Sequence, residues 1–240
     1  MGLSFIASVQ GYSSLTGTTV NCSSALNVAA GDLLVAWTEW QSAATGDTVI
    51  VDENDGTDVF TNSTPSINSN DIGGCFSYLI NAPADASFTP RTTISQSSRR
   101  IAIIVLQFRP DSGETVSLAV SATPAVGSGT AAQSNNVSFT GDDVVALGGV
   151  SAADGGTPPS SEQIADTAAD GAVDLTNYYS GMWWKFFTTA QSNIHAQCTV
   201  PNDLWVCDII AFKSEAAAGG LSLLLAHNLG GDCNRMMGMD

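Results

Sequence analysis

Gly31-Asp32-Leu33-Leu34-Val35-Ala36 is a tight-turn pair followed by an unbroken apolar run, and it returns as Gly141-Asp142-Asp143-Val144-Val145-Ala146. Two further segments return in the same order. Gly74-Cys75-Phe76-Ser77-Tyr78 is echoed by Gly181-Met182-Trp183-Trp184-Lys185, and Ile103-Ile104-Val105-Leu106-Gln107-Phe108-Arg109 by Cys207-Asp208-Ile209-Ile210-Ala211-Phe212-Lys213. The offsets, roughly 104 to 110 residues, are on the scale of a small domain. Each segment is a short apolar run bounded by turn residues, the pattern of a buried strand. The reading predicts two related β-units, residues 1–111 and 112–214, followed by a tail, 215–240, that has no echo.

Outward from these segments the same grammar continues. Thr48 to Asp52 reads as a strand, closed by the turn Glu53-Asn54-Asp55-Gly56, because Asp-Gly tolerates positive φ. Ile72 to Ile80 is a strand whose Gly73-Gly74 pair marks a bulge or a close approach. Arg99 to Arg109 is apolar on both faces, as a central strand is. In the second half, Gln133 to Thr140 alternates with Val137 and Phe139 inward, Asp143 to Ser151 is a buried run, and Asn177 to Thr188 is rich in aromatics. No convincing long helix interrupts these strands, so the fold class is all-β, a sandwich or a barrel.

Composition removes several functions. Charged residues are 12% of the chain, about half the usual share, and 23 acids against 7 bases give a net charge of -16. Such a chain has no basic stripe to neutralise phosphates, so no nucleic-acid partner is expected, and an anionic membrane surface is disfavoured for the same reason. Met1-Gly2-Leu3-Ser4 lacks the basic start of a signal peptide, and no apolar run has the length of a membrane span. Synthesis in a cytoplasm is expected. Cys22, Cys75, Cys198, Cys207 and Cys233 are widely spaced with no CxxC pair, which argues against zinc and for small buried side chains.

Catalytic chemistry has little to stand on. His195 and His227 are the only histidines, and no Gly-x-Ser-x-Gly elbow surrounds any serine. Asp52 to Asp58 is dense in oxygen ligands but departs from the EF-hand register and reads as a surface turn. The chain is therefore read as no enzyme, with no catalytic residue, no metal and no cofactor. Two other groups stand out. Tyr179, Trp183 and Trp184 belong to the densest aromatic cluster, and strand alternation puts Trp183 and Trp184 on opposite faces. One face is then core, and the other is a subunit interface or a sugar platform. Leu221, Leu223, Leu224, Leu225 and Leu229 form an apolar stretch in the tail that needs a partner.

Gly-Asp-Leu-Leu-Val, Asp-x-x-Asp-Gly-Thr, the Tyr-bearing strand, and the closing Ile-Ile-Val-Leu-Gln-Phe and Ile-Ile-Ala-Phe-Lys strands together resemble β-sandwich modules of bacterial surface proteins and of tailed-phage structural proteins. The resemblance covers about residues 3 to 213 and rests on strands, not on a site. It implies a jelly-roll-like β-sandwich built from two related β-units, with the C-terminal tail as a docking element. It also implies a non-enzymatic virion protein of a tailed bacteriophage, a capsid decoration or tail accessory protein. That protein would be made in the host cytoplasm and carried on the virion. Its expected partners are a capsid or tail protein of the same virion and further copies of itself. A carbohydrate-binding module for host-surface glycans is the alternative.

Overall fold

The computed structural model describes residues 2–41, 47–69, 71–153, 157–175 and 180–217. The first half is built from β1 (Leu3–Ser13), β2 (Gly17–Asn21), β3 (Leu26–Val28), β4 (Leu33–Gln41), β5 (Val49–Glu53), β6 (Thr61–Asn62), β7 (Ser66–Asn68), β8 (Ile72–Leu79), β9 (Asp85–Phe88), β10 (Pro90–Ser98) and β11 (Arg100–Pro110). The second half is built from β12 (Glu114–Ser121), β13 (Ala125–Gln133), β14 (Val137–Phe139), β15 (Val144–Ala152), β16 (Ser160–Ile164), β17 (Thr167–Ala168), β18 (Gly171–Leu175), β19 (Ser180–Phe187), β20 (Gln191–Ile194) and β21 (Ala196–Ala216). The protein is all-β, and every strand pairing is antiparallel.

In the first half, an inner sheet runs β1-β11-β4-β8-β6, and an outer sheet, β2-β10-β5, lies over it in the manner of a jelly roll. The second half uses the same order of pairing. Its inner sheet runs β12-β21-β15-β19-β18, and β13 and β16 flank the first part of β21. The expected central strand is β11, which pairs with both β1 and β4. Where β10 and β11 are separated by Arg99, β21 runs without a break through both layers. It also extends to Ala216, two residues past the expected end of the second unit.

Among the described residues, no strand of one half pairs with a strand of the other. The halves meet face to face. Leu33, Val35, Trp37, Phe76, Ile104 and Phe108 of the first half share one core with Val145, Leu147, Met182, Trp184, Ile210 and Phe212 of the second. Each half keeps a second core under its own outer sheet, around Trp40 and Phe88 in one and around Trp183 and Phe139 in the other. The molecule is thus four layers with three cores, and both inner sheets are buried on both faces. This is why β4, β11 and β15 are apolar at nearly every position instead of alternating.

The paired glycines are close-approach sites. A Cβ on Gly73 would lie 2.1 Å from Trp40 Cε2, and one on Gly74 would lie 2.5 Å from Trp37 Cζ2. Two neighbouring glycines thereby admit two tryptophans of the adjacent strand, one on each face. Gly148 likewise admits Trp183 of the adjacent strand β19, and Gly149 admits Trp37 of the facing sheet.

Candidate functional site

The two tryptophans singled out by the sequence lie on opposite faces of β19, as alternation requires. Trp184 joins the central core, where it stacks on Phe5 with ring centroids 4.3 Å apart, and Trp183 joins the second half's own core and donates Nε1–H to the Gln163 carbonyl at 3.1 Å. Their exposures are 0% for Trp183 and 7% for Trp184, so neither offers a platform to a glycan or a face to a subunit. The expectation of one exposed face fails because β19 is in an inner layer. Its second face meets another sheet, not solvent. Tyr179, the leucines Leu221, Leu223, Leu224, Leu225 and Leu229, His227 and Cys233 lie outside the described residues.

The remaining candidates have structural surroundings. Cys22, Cys75, Cys198 and Cys207 are buried free thiols. Burial pushes Cys22 and Cys75 up to about 12 and the other two well above the usual range. Such thiols are poor nucleophiles. His195 faces Asp166, Nε2 to Oδ1, at 3.3 Å. The Glu53 to Gly56 turn forms as expected, with the Gly56 amide donating to the Glu53 carbonyl and Gly56 at φ +87. Its carboxylates are tied locally: Asp55 accepts from Thr57, and Asp52 accepts both guanidinium arms of Arg91. Asp32 of the repeated Gly-Asp pair is buried, which pushes its carboxyl up. Hydrogen bonds from Arg109, Ala29 and Gln107 outweigh this and hold it below the usual carboxylate range. Among the described residues, no group of three or more His, Cys, Asp and Glu side chains is arranged to hold a metal ion.

The polar chemistry of the molecule collects at the seam between the halves. Trp37 Nε1 donates across it to the Val150 carbonyl and to Ser151 Oγ, both at 3.0 Å. Asn68 donates to the carbonyls of Gly127 and Trp205, and Arg100 Nη2 donates to the Ala152 carbonyl at 2.7 Å. Arg100 also pairs with Glu39, which is wholly buried. Burial raises the Glu39 carboxyl against the opposing pull of Arg100 and Ser180. Asp208, on the seam-facing side of β21, is pushed well above the usual range by burial, opposed by a hydrogen bond from the Ile209 amide. These groups fix the register of two sheets. They do not converge on an open space.

One open space lies at the same seam, on the edge where β6 and β8 stand over β12. It is a cleft of about 370 Å³ with Asn62, Thr64 and Tyr78 on the first-half wall and Leu118, Ser121 and Thr123 on the other. The Tyr78 ring is set edge-on against Phe212, centroids 5.2 Å apart. Asn62 is held by the Val49 carbonyl and Ser77, and neighbouring Ser63 by the Phe76 amide. A register shift between Leu118 and Val120 re-aims the side chains of β12 beside it. Nothing in the sequence pattern marks this cleft. Its walls come from segments forty or more residues apart, carry no motif, and meet only because the two halves stack.

Compared with known proteins, the chain matches no family model, no curated protein and no solved structure.

Proposed function

We propose that the chain is a non-enzymatic structural protein of a tailed-bacteriophage virion, carried on the outside as a capsid decoration or tail accessory protein. The observation that carries this reading is the shared central core. It makes two sandwiches one slab, with both inner sheets covered and the described thiols and tryptophans buried. A slab of this kind suits a load-bearing part better than a catalyst, whose site needs an open cleft with paired reactive groups. Its low charge density and the sandwich resemblance agree with that role. Residues Leu221 to Leu229 supply the docking element, reaching a capsid or tail protein or another copy of the chain.

The test compares the mass in solution, by light scattering, of the full chain and of residues 1–217. The cut is placed after Ala217 because β12 pairs with β21 through Ala216, and Ala217 still donates to the Gly113 carbonyl. The reading expects the full chain to assemble into a defined oligomer or to bind purified phage capsids or tails, and the shortened chain to do neither. A full chain that stays monomeric and binds neither particle overturns it.

A further inference from the structure

We propose that the seam cleft between Tyr78 and Leu118 binds a neutral sugar ring at the end of a glycan. The site is distinct from the buried tryptophans, and sugar binding there is independent of a virion role.

The first support is chemical. The cleft lining contains no charged side chain, only hydroxyls, one carboxamide, one phenol ring and small apolar groups. A cation would find no carboxylate there. An anion would find no base, and would also have to approach a protein of net charge -16. The class left is neutral and rich in hydroxyls. Tyr78 presents the amphipathic surface such a ligand needs, an apolar ring with a polar tip. The second support is the pattern of hydrogen bonding. Asn62 and Ser63 are committed to the protein and hold the wall rigid. Thr64, Tyr78 and Thr123 make no side-chain hydrogen bond to the described residues, so their hydroxyls are available to a ligand. The third support is size and place. At about 370 Å³ the cleft is near the lower end of the roughly 300–1,000 Å³ range of small-ligand sites, and it lies between two packed units, where such sites concentrate.

The geometry also separates this cleft from two other cavities among the described residues. The space of about 220 Å³ beside Gln163 and Gln197 has its amides already paired with each other and with Asp166. The one beside Phe139 and Gln191 lies within the second half alone.

The test is a glycan array probed with the full chain, followed by competition with free glucose, galactose and mannose. Binding to glycans ending in a neutral hexose is expected. Competition by a free hexose would place recognition in the terminal ring, and its absence would overturn the single-ring proposal. Leu118→Glu puts a charge into the cleft and Ser121→Trp fills it. Both positions are solvent-exposed, and each variant should lose at least about tenfold in binding with its melting temperature unchanged. Tyr78→Phe, which keeps the ring, should lose several-fold. Ser192→Trp, at the Phe139 cavity, should bind as the parent does. A silent array, binding confined to sialylated or uronic-acid glycans, or folded Leu118→Glu and Ser121→Trp variants that bind like the parent would each overturn the proposal.

Discussion

The indole N–H of Trp37, in the first half of the chain, donates to the backbone carbonyl of Val150, in the second, across 3.0 Å of buried space. The ring itself lies against Gly74 of its own sheet and Gly149 of the facing one. A single side chain therefore takes part in both packing and hydrogen bonding at the shared core. Trp37→Phe should cost about 2–4 kcal/mol, from the lost hydrogen bonds to Val150 and Ser151 and the unfilled volume together. Urea unfolding followed by far-UV circular dichroism reads this. The parent should unfold in a single transition, because neither half can expose its inner face without the other. Two well-separated transitions in the parent would contradict a shared core.

Gly149→Ala tests the same contact from the other side. The added Cβ would lie 2.5 Å from Trp37 Cε3, with Phe76 Cζ at 3.0 Å, and both rings are fully buried. A loss of about 1–3 kcal/mol or more is expected. Gly17→Ala is the control: its nearest neighbour would be the Leu15 carbonyl oxygen at 3.8 Å, and its stability should change by less than about 0.5 kcal/mol. Equal effects at the two sites would show that close packing of Trp37 is not what Gly149 provides.

Arg100 and Glu39 form a buried pair, with side-chain exposures of 9% and 0%. Arg100→Met strands a carboxylate that burial already disfavours, and should destabilise by about 3–5 kcal/mol. Removing both charges in Arg100→Met/Glu39→Leu should recover much of that loss. The comparison of single and double variants by denaturant unfolding isolates the pair. A double variant no more stable than the single would mean that Arg100 acts through its bond to the Ala152 carbonyl instead.

Asp174 gives the pH dependence a sign. Burial, with repulsion from Glu162, raises its carboxyl from an ordinary 3.8 to about 7. Between those values the folded protein holds a proton that the unfolded chain has released, so this group's contribution to stability falls as pH rises from about 4 to about 7 and is level above. Asp174→Asn removes the fall. Thermal melts from pH 4 to 8 should show the variant and parent alike at pH 4 and the variant more stable at pH 8. Parallel melting profiles across the whole range would rule out this origin.

The strands were legible because burial on both faces leaves continuous apolar runs such as Leu33 to Trp37 and Val144 to Leu147, and because turns such as Glu53 to Gly56 carry their own chemistry. The Gly73-Gly74 pair was legible as a bulge or a close approach, and only the structure decides for the close approach, with Trp40 and Trp37 against the two glycines. The destination of a face was not. Alternation correctly separates Trp183 from Trp184, yet whether the second face meets water or another sheet depends on residues a hundred positions away. The polar seam was hidden for a related reason. Glu39, Arg100, Ser180 and Asp208 sit singly within apolar strands: strand pairing within the first half brings Glu39 to Arg100, and only the stacking of the halves adds Ser180 and the Ala152 carbonyl.

Strand β21 follows every strand it pairs with, and it joins β12, β13, β15 and β16 into one body. During synthesis the first half has all its own strands once Pro110 is made, but the cover of the inner face bearing Trp37, Phe76 and Ile104 is not complete until residues around Ile210 and Phe212 arrive. For the time taken to add about a hundred residues, a nascent chain presents an incompletely covered apolar sheet face to its surroundings. At roughly 5–20 residues per second that window is several seconds or more, long enough for chaperone capture or for sticking to another nascent chain. The contact that unites the finished molecule is thus also its period of greatest risk, and yield on expression should depend on the speed of translation more than on the stability of the folded product.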